Sequence, residues 1–237
     1  FSEDDAKKVT DYLENGGKAL IVTNFEYKNL TNFESILSSY GIERMDGIVM
    51  ENDASYYYNN IPYYLLPDVA SSSYTTSVSG KYIFAPYSEA FSYNGESEDV
   101  TYTALLETTE AAVSKIDMAN ATTSQKEDGD IEGPFAIALA AERTVDDVTS
   151  QIVVAGSVNL FTDSTNAIVS GNNVSMFTDI ISELTGGEEE DTAVIPVKEY
   201  TLGTITVTSI SAIIGGLAAS ILVPIVLLVI GIVIWAV

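Results

Sequence analysis

Residues 151–157 read Gln-Ile-Val-Val-Ala-Gly-Ser, the pattern of a buried strand that ends in a tight turn. A second run of the same kind, Lys-Ala-Leu-Ile-Val-Thr, occupies residues 18–23. Short and nearly continuous apolar runs are typical of strands in a parallel sheet, because helices cover both faces of such a sheet. The two runs therefore predict the centre of an α/β fold.

A helix is predicted before the first of these strands. Ser2 with Asp5 three residues later resembles a capping box in which Asp replaces the usual Glu or Gln. Asn15-Gly16-Gly17 ends the helix. A helix that leads into a buried strand is half of a βαβ unit, so we expect the preceding strand to be missing and the sequence to be a fragment at both ends.

Two more helices are predicted from apolar residues at helical spacing. Residues 30–40 place Leu, Phe, Ile, Leu and Tyr on one face, and Gly41 is the expected C-cap. Residues 174–184 repeat the pattern, with Asn172 or Asn173 as the candidate N-cap.

Four further strands are predicted, over residues 47–50, 81–86, 100–107 and 135–141. Strands that alternate with helices indicate an open, mostly parallel α/β sheet with helices on both faces. Ligands bind such sheets beyond the carboxyl ends of the strands, here Thr23-Asn24, Pro86-Tyr87-Ser88 and Gly156-Ser157. No segment of the sequence matches a dinucleotide or phosphate loop, so no nucleotide cofactor is predicted.

Residues 51–79 are loop-like and rich in tyrosine, with Tyr56-Tyr57-Tyr58 and Tyr63-Tyr64. Aromatic rings at a surface can stack on a sugar or hold a cation. They can also pack the loop onto the edge of the sheet, and this second interpretation is favoured.

The connection 124–133 is polar and acidic, with Asp128, Asp130 and Glu132 at alternate positions. The spacing faintly resembles a calcium loop, and calcium binding by residues 126–133 is left open. An EF-type loop needs a twelve-residue ligand pattern with a closing Glu and flanking helices, which are missing here. A solvated turn is therefore the favoured interpretation.

Composition excludes several classes of function. The chain has 34 acidic and 10 basic residues, a net charge of −24, which repels nucleic acid. It contains no cysteine and no histidine. Disulfides, Cys/His metal sites and the Ser-His-Asp and Cys-His catalytic groups are therefore excluded.

Residues 210–237 contain no charged side chain and are almost wholly apolar from Ile213 onward. A bilayer core of about 30 Å is spanned by about 20 such residues, so the pattern predicts one transmembrane helix. Small residues near its start would let a partner helix approach closely. These candidate helix-packing residues are Gly215, Gly216, Ala218, Ala219 and Ser220.

The sequence thus predicts three parts: an α/β domain over residues 1–187, an acidic linker and juxtamembrane segment over 188–209, and the transmembrane helix over 210–237. The positive-inside rule places a domain poor in Lys and Arg outside the cytoplasm. We therefore expect localisation at the cell membrane, with the bulk of the chain extracytoplasmic.

Several segments, taken in order, resemble the GldG-like family, auxiliary membrane proteins encoded with ABC transporters and first associated with gliding motility. The segments are 1–5, 12–18, 37–42, 105–111, 133–138, 153–157, 171–172 and 224–235. The resemblance implies a domain similar in fold to flavodoxins or class I glutamine amidotransferases. An amidotransferase needs a Cys-His pair, and the chain has neither residue.

The resemblance further implies a non-catalytic, membrane-anchored auxiliary subunit of an ABC-2-type transporter. Its domain would bind substrate or the outer loops of the permease, and its helix would pack on the permease. The implied partners are the permease, a separate ATPase subunit and the lipid bilayer, with no cofactor and no nucleic acid.

Two alternatives stay open. One is a free-standing surface-anchored binding module that uses its tyrosines. The other is a tethered hydrolase with two carboxyl groups about 5–10 Å apart, although no carboxyl pair is marked by the sequence.

Overall fold

The computed structural model describes residues 1–95, 98–187 and 218–236. The chain divides into two units, Phe1–Glu190 and Asp191–Val237. All strands of the described residues belong to the first unit, and each unit is described here by itself.

The helices of the first unit are α1 (Glu3–Glu14), α2 (Thr31–Ser38), α3 (Asp163–Ile168) and α4 (Asn172–Thr185), with short 3-10 helices at Ser73–Val78 and Val158–Phe161. Its strands are β1 (Lys18–Val22), β2 (Ile42–Arg44), β3 (Ile48–Met50), β4 (Tyr64–Leu65), β5 (Asp68–Val69), β6 (Ala85–Pro86), β7 (Phe91–Tyr93), β8 (Val100–Glu107), β9 (Val113–Lys115), β10 (Ile131–Glu132), β11 (Ala136–Val145) and β12 (Val148–Ala155).

The predicted capping box at the start of α1 is confirmed. The Asp5 N–H donates to the Ser2 hydroxyl oxygen at 3.1 Å, and the Ser2 N–H donates to an Asp5 carboxylate oxygen at 3.1 Å. Asn15 is the C-cap, and Gly16 takes the left-handed conformation at φ +83° that a glycine adopts without strain. The chain then enters β1.

Helix α4 begins two residues before the predicted start, and its N-cap is Gly171 at φ +93°. Neither predicted N-cap residue caps it. Asn173 is instead buried, and its side-chain amide donates to the carbonyls of Phe84 and Leu160, both at 2.8 Å. Asn173 therefore joins the start of α4 by hydrogen bonds to the segment before β6 and to the segment after β12.

The main sheet has the strand order β1-β12-β11-β7-β2, with β8 beside β11 and β5 beside β8. β1 and β12 are parallel, whereas the other described pairs of this sheet are antiparallel. A three-stranded sheet, β10-β9-β3, and the pair β4-β6 complete the described strands. The predicted open, mostly parallel sheet of the flavodoxin or class I amidotransferase type is therefore wrong, and the fold is mixed α/β with mainly antiparallel strands.

A hairpin explains most of this error. β11 and β12 are joined by Asp146 and Asp147, both at positive φ (51° and 64°), so that Val145 faces Val148. Two such residues form the type I′ turn that suits the twist of a hairpin. Such turns are usually recognised in a sequence by a glycine, and Asp146-Asp147 has none. The hairpin was therefore not predicted, and β11 and β12 were predicted as two separate strands.

Two apolar clusters cover the two faces of the main sheet. Successive residues of a strand point to opposite faces. Val153 of β12 belongs to the cluster that contains Met176 and Ile180 of α4, and Val154 belongs to the cluster that contains Leu13 of α1. Helices therefore lie on both faces, as predicted, although the strands between them are mainly antiparallel.

The second unit is described from residue 218 to 236. It contains a π-helical turn, Ala218–Leu222, and then α5 (Val223–Ala236) of 14 residues, or about 21 Å of helix. None of the helices in the described ranges combines the length and the apolar character that a bilayer crossing requires. The predicted transmembrane helix over 210–237 is thus wrong for the described residues, and so is the cell-membrane localisation that rested on it.

A titration of Tyr74 tests the packing of α4. Tyr74 lies in the 3-10 helix Ser73–Val78, which contacts α4, and is 8% exposed. Burial raises the pKa of its phenol to about 12, and the charges of Glu183 and Glu142 add to the effect. The neutral phenol stabilises the fold below pH about 10, the value in an unfolded chain, and this contribution is lost as the pH rises toward 12.

We therefore expect the free energy of unfolding to fall by about 1.4 kcal/mol per pH unit in this window through Tyr74 alone. Urea denaturation of Tyr74→Phe should show a shallower alkaline decline than the parent protein. Tyr82→Phe, at a side chain that is 67% exposed, is the matched control. Equal declines in both variants would contradict the assignment.

Candidate functional site

The three segments predicted to form the ligand edge meet in the structure. The Thr23 N–H after β1 donates to the Ala155 carbonyl at 2.9 Å. The Ser157 hydroxyl after β12 donates to the Pro86 carbonyl at 2.5 Å. This place, beyond the carboxyl ends of β1 and β12, is where ligands bind in open α/β sheets.

Gly156 brings a buried carboxylate to this edge. The Glu89 N–H donates to the Gly156 carbonyl at 2.9 Å. A Cβ atom at residue 156 would lie 2.2 Å from the Glu89 carbonyl oxygen, so a side chain larger than hydrogen has no room. The glycine therefore holds the backbone of Glu89 directly against the end of β12.

Arg44 binds Glu89 through two parallel hydrogen bonds. Arg44 Nε donates to Glu89 Oε1 at 2.9 Å, and Arg44 Nη2 donates to Glu89 Oε2 at 2.8 Å. Arg44 Nη2 also donates to the carbonyls of Asn24 and Tyr27, and Nη1 donates to Glu34 at 3.2 Å. The guanidinium thus joins β2, α2 and the loop after β1.

The pair is almost completely buried, with side-chain exposures of 7% for Arg44 and 2% for Glu89. Burial by itself lowers the pKa of Arg44, but the hydrogen bond and charge of Glu89, with those of Glu34, outweigh it and hold that pKa above its ordinary value. Bidentate geometry satisfies both charges where water is excluded. The buried ion pair therefore holds β2 to the segment before β7.

A groove of about 450 Å³ lies beside this cluster and is lined by Glu34, Arg44 and Glu89. Lys28 and Asp46, also in its lining, form an ion pair at 3.7 Å. Of the three glutamates in its lining, Glu34 and Glu89 bind the same guanidinium, and the third is the exposed Glu43. Both carboxylate oxygens of Glu89 accept from Arg44, so its hydrogen-bonding capacity is not directed at a ligand in the groove.

The tyrosines of the 51–79 loop form a cluster with residues that precede β7. We define the tyrosine cluster as Tyr58, Tyr63, Tyr64, Phe84 and Tyr87. Phe84 is buried, and the rings of Tyr58 and Tyr64 meet it edge to face at 5.7 and 5.4 Å. The favoured prediction, that these aromatics pack the loop onto the sheet, agrees with this arrangement, while Tyr58 keeps 44% of its surface exposed.

Tyr87 is held in a strained conformation within this cluster. Its φ is +56°, which costs a non-glycine residue about 1–3 kcal/mol. Its N–H donates to the Tyr63 carbonyl at 3.0 Å, and its ring lies 5.1 Å from that of Tyr63. The hydrogen bond with the Tyr64 hydroxyl and then burial raise the pKa of Tyr87 to about 12, so its phenol is neutral at physiological pH.

The acidic turn that resembled a calcium loop holds an internal cation. The ammonium of Lys115, which is 1% exposed, donates to Asp130 and to Glu127, both at 2.6 Å, and to the Gln125 carbonyl at 2.9 Å. Glu132 instead binds Lys126 at the surface. The described residues contain no group of acidic side chains that could hold a metal ion.

We accordingly expect Ca²⁺ to leave the melting temperature unchanged relative to EDTA. A site filled at 100 times its dissociation constant would add about 2.7 kcal/mol of stability, which thermal unfolding readily detects. Mg²⁺ at the same concentration is the control for ionic strength. A rise seen with Ca²⁺ alone would contradict this assignment of Asp130 and Glu127.

The predicted helix-packing residues are not brought to this site. Gly215 and Gly216 lie outside the described residues, as does the linker 188–209. Ala218, Ala219 and Ser220 lie in the π-helical turn of the second unit, where Ser220 is exposed. Their role in packing on a partner helix stays a prediction.

Sequence reasoning located the edge but missed its two charged residues. Arg44 and Glu89 are 45 residues apart, and nothing in the sequence links them. The available signal was a charge inside an apolar segment, at Ile-Glu-Arg-Met (42–45) and Ser-Glu-Ala-Phe (88–91). A charged side chain in such a segment is buried only when it is paired.

No protein-family model and no curated protein matches the chain. Among solved structures, it is similar to one described as the mmIFT52 N-terminal domain, with a TM-score of 0.57 and 17% identity over 79% of this chain and 73% of that one. This likeness shows the fold alone. The predicted transmembrane helix is wrong for the described residues, and this likeness gives no support to an ABC-transporter component. The auxiliary role and the resemblance to the GldG-like family stay predictions.

Proposed function

We propose that this chain is a non-catalytic recognition domain that binds a partner protein through the tyrosine cluster. The observation that carries the proposal is that the rings of Tyr58 and Tyr64 pack on the buried ring of Phe84. The rings of Tyr63 and Tyr87 pack on each other and on Tyr64. Tyrosines that are already immobilised lose little entropy on binding and present both apolar area and a hydroxyl. Aromatic residues of this kind are enriched in protein interfaces.

The polar groups at the sheet edge support a non-catalytic role. A nucleophile needs a base within hydrogen-bond reach and must remain free to attack. The Ser157 hydroxyl donates to the Pro86 carbonyl, and the Thr23 hydroxyl donates to the Ala155 carbonyl at 3.3 Å. Both hydroxyls are thus directed into the fold.

A hydrolase would have to use carboxylates that line the groove, which are Glu34, Glu43, Asp46 and the buried Glu89. A glycosidase needs one carboxyl that gives up a proton and a second that acts as nucleophile or base. Glu89 is 2% exposed and is bound by both arms of Arg44, so it is out of reach of a substrate. This arrangement favours the binding role over the hydrolase.

The net charge limits the choice of partner. At −24 the chain attracts basic surfaces and repels acidic ones, so we propose a partner with a positively charged face. Of the function that the family resemblance implies, this proposal keeps the coarser part, a non-catalytic subunit of a larger assembly. An auxiliary role beside a permease and its ATPase stays a prediction.

Site-specific photo-crosslinking tests the proposal. A benzophenone amino acid replaces Tyr58 in one variant and Asp146, in the exposed turn between β11 and β12, in the control. Crosslinks in cells are expected at Tyr58, and the captured protein is then purified for binding measurements. Equal capture from the turn would count against recognition by the tyrosine cluster.

Measurement of the affinity for the captured partner is the second test of the proposal. Tyr58→Ala should weaken binding about tenfold or more, as removal of a central interface tyrosine does. Tyr93→Ala, at an exposed tyrosine that packs on Tyr102 outside the cluster, is the matched control and should leave affinity unchanged. An equal loss in both variants would reject the cluster as the binding surface.

A further inference from the structure

The outer side of β1 is a free sheet edge. β1 ends the order of the main sheet, and among the described strands it pairs with β12 alone. In a parallel ladder, alternate residues direct both backbone groups toward the same neighbour. Every second residue of β1 therefore directs its N–H and C=O away from β12.

The flanking hydrogen bonds fix which residues these are. The Gly17 carbonyl accepts from the Gln151 N–H, and the Thr23 N–H donates to the Ala155 carbonyl. The odd-numbered residues of this stretch thus face β12, and Lys18, Leu20 and Val22 face outward. The residues of β1 are all half-buried, so this edge is accessible within the described fold.

Tyr12 occupies the first of the three outward positions. Its hydroxyl accepts from the Lys18 N–H and donates to the Lys18 carbonyl, both at 3.1 Å. Its ring covers Gly17, where a Cβ atom would lie 2.4 Å from Tyr12 Cε1. In the described part of the chain, the outward backbone groups of Leu20 and Val22 have no such partner.

A groove of about 510 Å³ runs along this edge between the end of α1 and the end of α4, and Tyr12, Leu20 and Leu184 contribute to its lining. The α4 side is apolar and open to solvent, since Ile181 and Phe177 are each 38% exposed. The groove therefore offers apolar contacts beside the unpaired backbone groups.

The helices beside this groove carry acidic side chains. Glu14 is exposed on the last turn of α1, Glu183 is partly exposed on α4, and Asp11 is paired with Lys7, while the charged residue in the lining itself is Lys18. A second copy of this chain would bring another charge of −24 to the same place, which disfavours pairing of β1 with itself. The charge favours an occupant that is basic.

We propose that the outer edge of β1 is a strand-addition site for an extended segment of a partner protein, with apolar side chains at alternate positions and lysine or arginine at its flanks. Backbone hydrogen bonds to Leu20 and Val22 supply the affinity, and the groove receives every second side chain. Unpaired edges of this kind are natural templates for another strand. The site is separate from the tyrosine cluster, so each proposal can fail alone.

Hydrogen–deuterium exchange on the full chain tests the edge first. The amides of Leu20 and Val22 are expected to exchange rapidly, and those of Ala19 and Ile21, which bond to β12, slowly. Slow exchange at Leu20 and Val22 in the free protein would mean that the edge is already covered, by another part of this chain or by a second copy, and would overturn the proposal.

Binding of a defined probe tests the occupant. The probe is a short fluorescein-labelled peptide that alternates valine with threonine and carries lysine at both ends. It should raise the fluorescence anisotropy and slow exchange at Leu20 and Val22 by about tenfold or more. The same peptide with N-methyl groups on alternate amides keeps its charge but cannot pair, and equal binding of both peptides would overturn the proposal.

Two proline variants form a matched pair. Val22→Pro removes an outward N–H, which an edge strand tolerates, and should abolish probe binding while the fold is retained. Ile21→Pro removes an inward N–H and should unfold the sheet edge. Tyr12→Phe frees the groups of Lys18 and should strengthen probe binding several-fold. If Val22→Pro does not fold, comparison of the probe with its N-methylated form on the parent protein still tests the site. If Val22→Pro folds and binds the probe as tightly as the parent protein does, the site is rejected.

Discussion

Replacing Arg44 by methionine is expected to lower the free energy of unfolding by about 3 to 5 kcal/mol, because it leaves Glu89 as an unpaired charge in a buried site. Glu89 is 2% exposed, and its carboxylate has both oxygens on the guanidinium. The carbonyls of Asn24 and Tyr27 lose their donor in the same step. Urea denaturation measures the change.

Two further variants separate the buried pair from its exposed neighbour. Glu34→Gln removes the weaker partner, whose side chain is 38% exposed, and should cost less than about 1 kcal/mol. The double variant Arg44→Met/Glu89→Leu removes both charges and should recover much of the loss, as apolar replacement of a buried pair often does. A single Arg44→Met variant no less stable than Glu34→Gln would show that the pair is solvated.

The contrast between these variants bears on function. A ligand-binding arginine is expected to be free to leave its internal partners, whereas the contacts of Arg44 reach three separate elements of the fold. Its loss should therefore be seen first in stability. The tyrosine cluster differs, because Tyr58 can be truncated at an exposed surface without an uncompensated charge.

Local elements could be predicted from the sequence because their causes are local. The capping box of α1 joins Ser2 and Asp5, three residues apart, and the apolar run of β1 is continuous. The direction of the strands has no such local signal. Whether β12 runs parallel or antiparallel to β11 was decided by the two aspartates at positive φ between them, and these lack the glycine that marks such turns.

The position of the candidate site in the sheet could be predicted from the sequence, but the residues that form it could not. The ends of β1 and β12 fall together because parallel strands in register end together, which the sequence pattern already implied. The residues that fill this edge come from elsewhere: Arg44 from β2 and Glu89 from the segment before β7. Pairing over 45 residues depends on the fold, and a single sequence does not record it.

The transmembrane helix predicted over residues 210–237 is wrong for the described residues because the prediction rested on composition. Apolar composition over residues 210–237 satisfied the length rule for a bilayer span, which assumes one continuous α-helix. Within the described residues this stretch forms the π-helical turn Ala218–Leu222 and the 14-residue α5, and no described helix is both long and apolar enough for a span. Composition alone does not fix where a helix begins and ends.

Replacing Lys115 by methionine should also cost about 3 to 5 kcal/mol, since the ammonium is the buried cation between two carboxylates. Burial opposes ionisation of Asp130, but the hydrogen bond of Lys115 and two backbone N–H groups outweigh it and lower the pKa of Asp130. The Lys115 hydrogen bond, then that of Thr122, lowers the pKa of Glu127. The cluster thus stabilises the fold above pH about 4, the unfolded value for these carboxyls, and the contribution is lost as the pH falls below it.

Acid titration of stability therefore separates Lys115 from a surface lysine in the same turn. Lys115→Met should make the decline in unfolding free energy below pH about 4 shallower, because Asp130 and Glu127 lose the hydrogen bond from Lys115 that helps to lower their pKa in the folded chain. Lys126→Met breaks an exposed pair with Glu132, at 47% and 65% exposure, and should cost less than about 1 kcal/mol with the acid decline intact. Equal stability of the two variants would show that the turn is a solvated loop. It would contradict the assignment of Lys115 as the buried cation between Asp130 and Glu127.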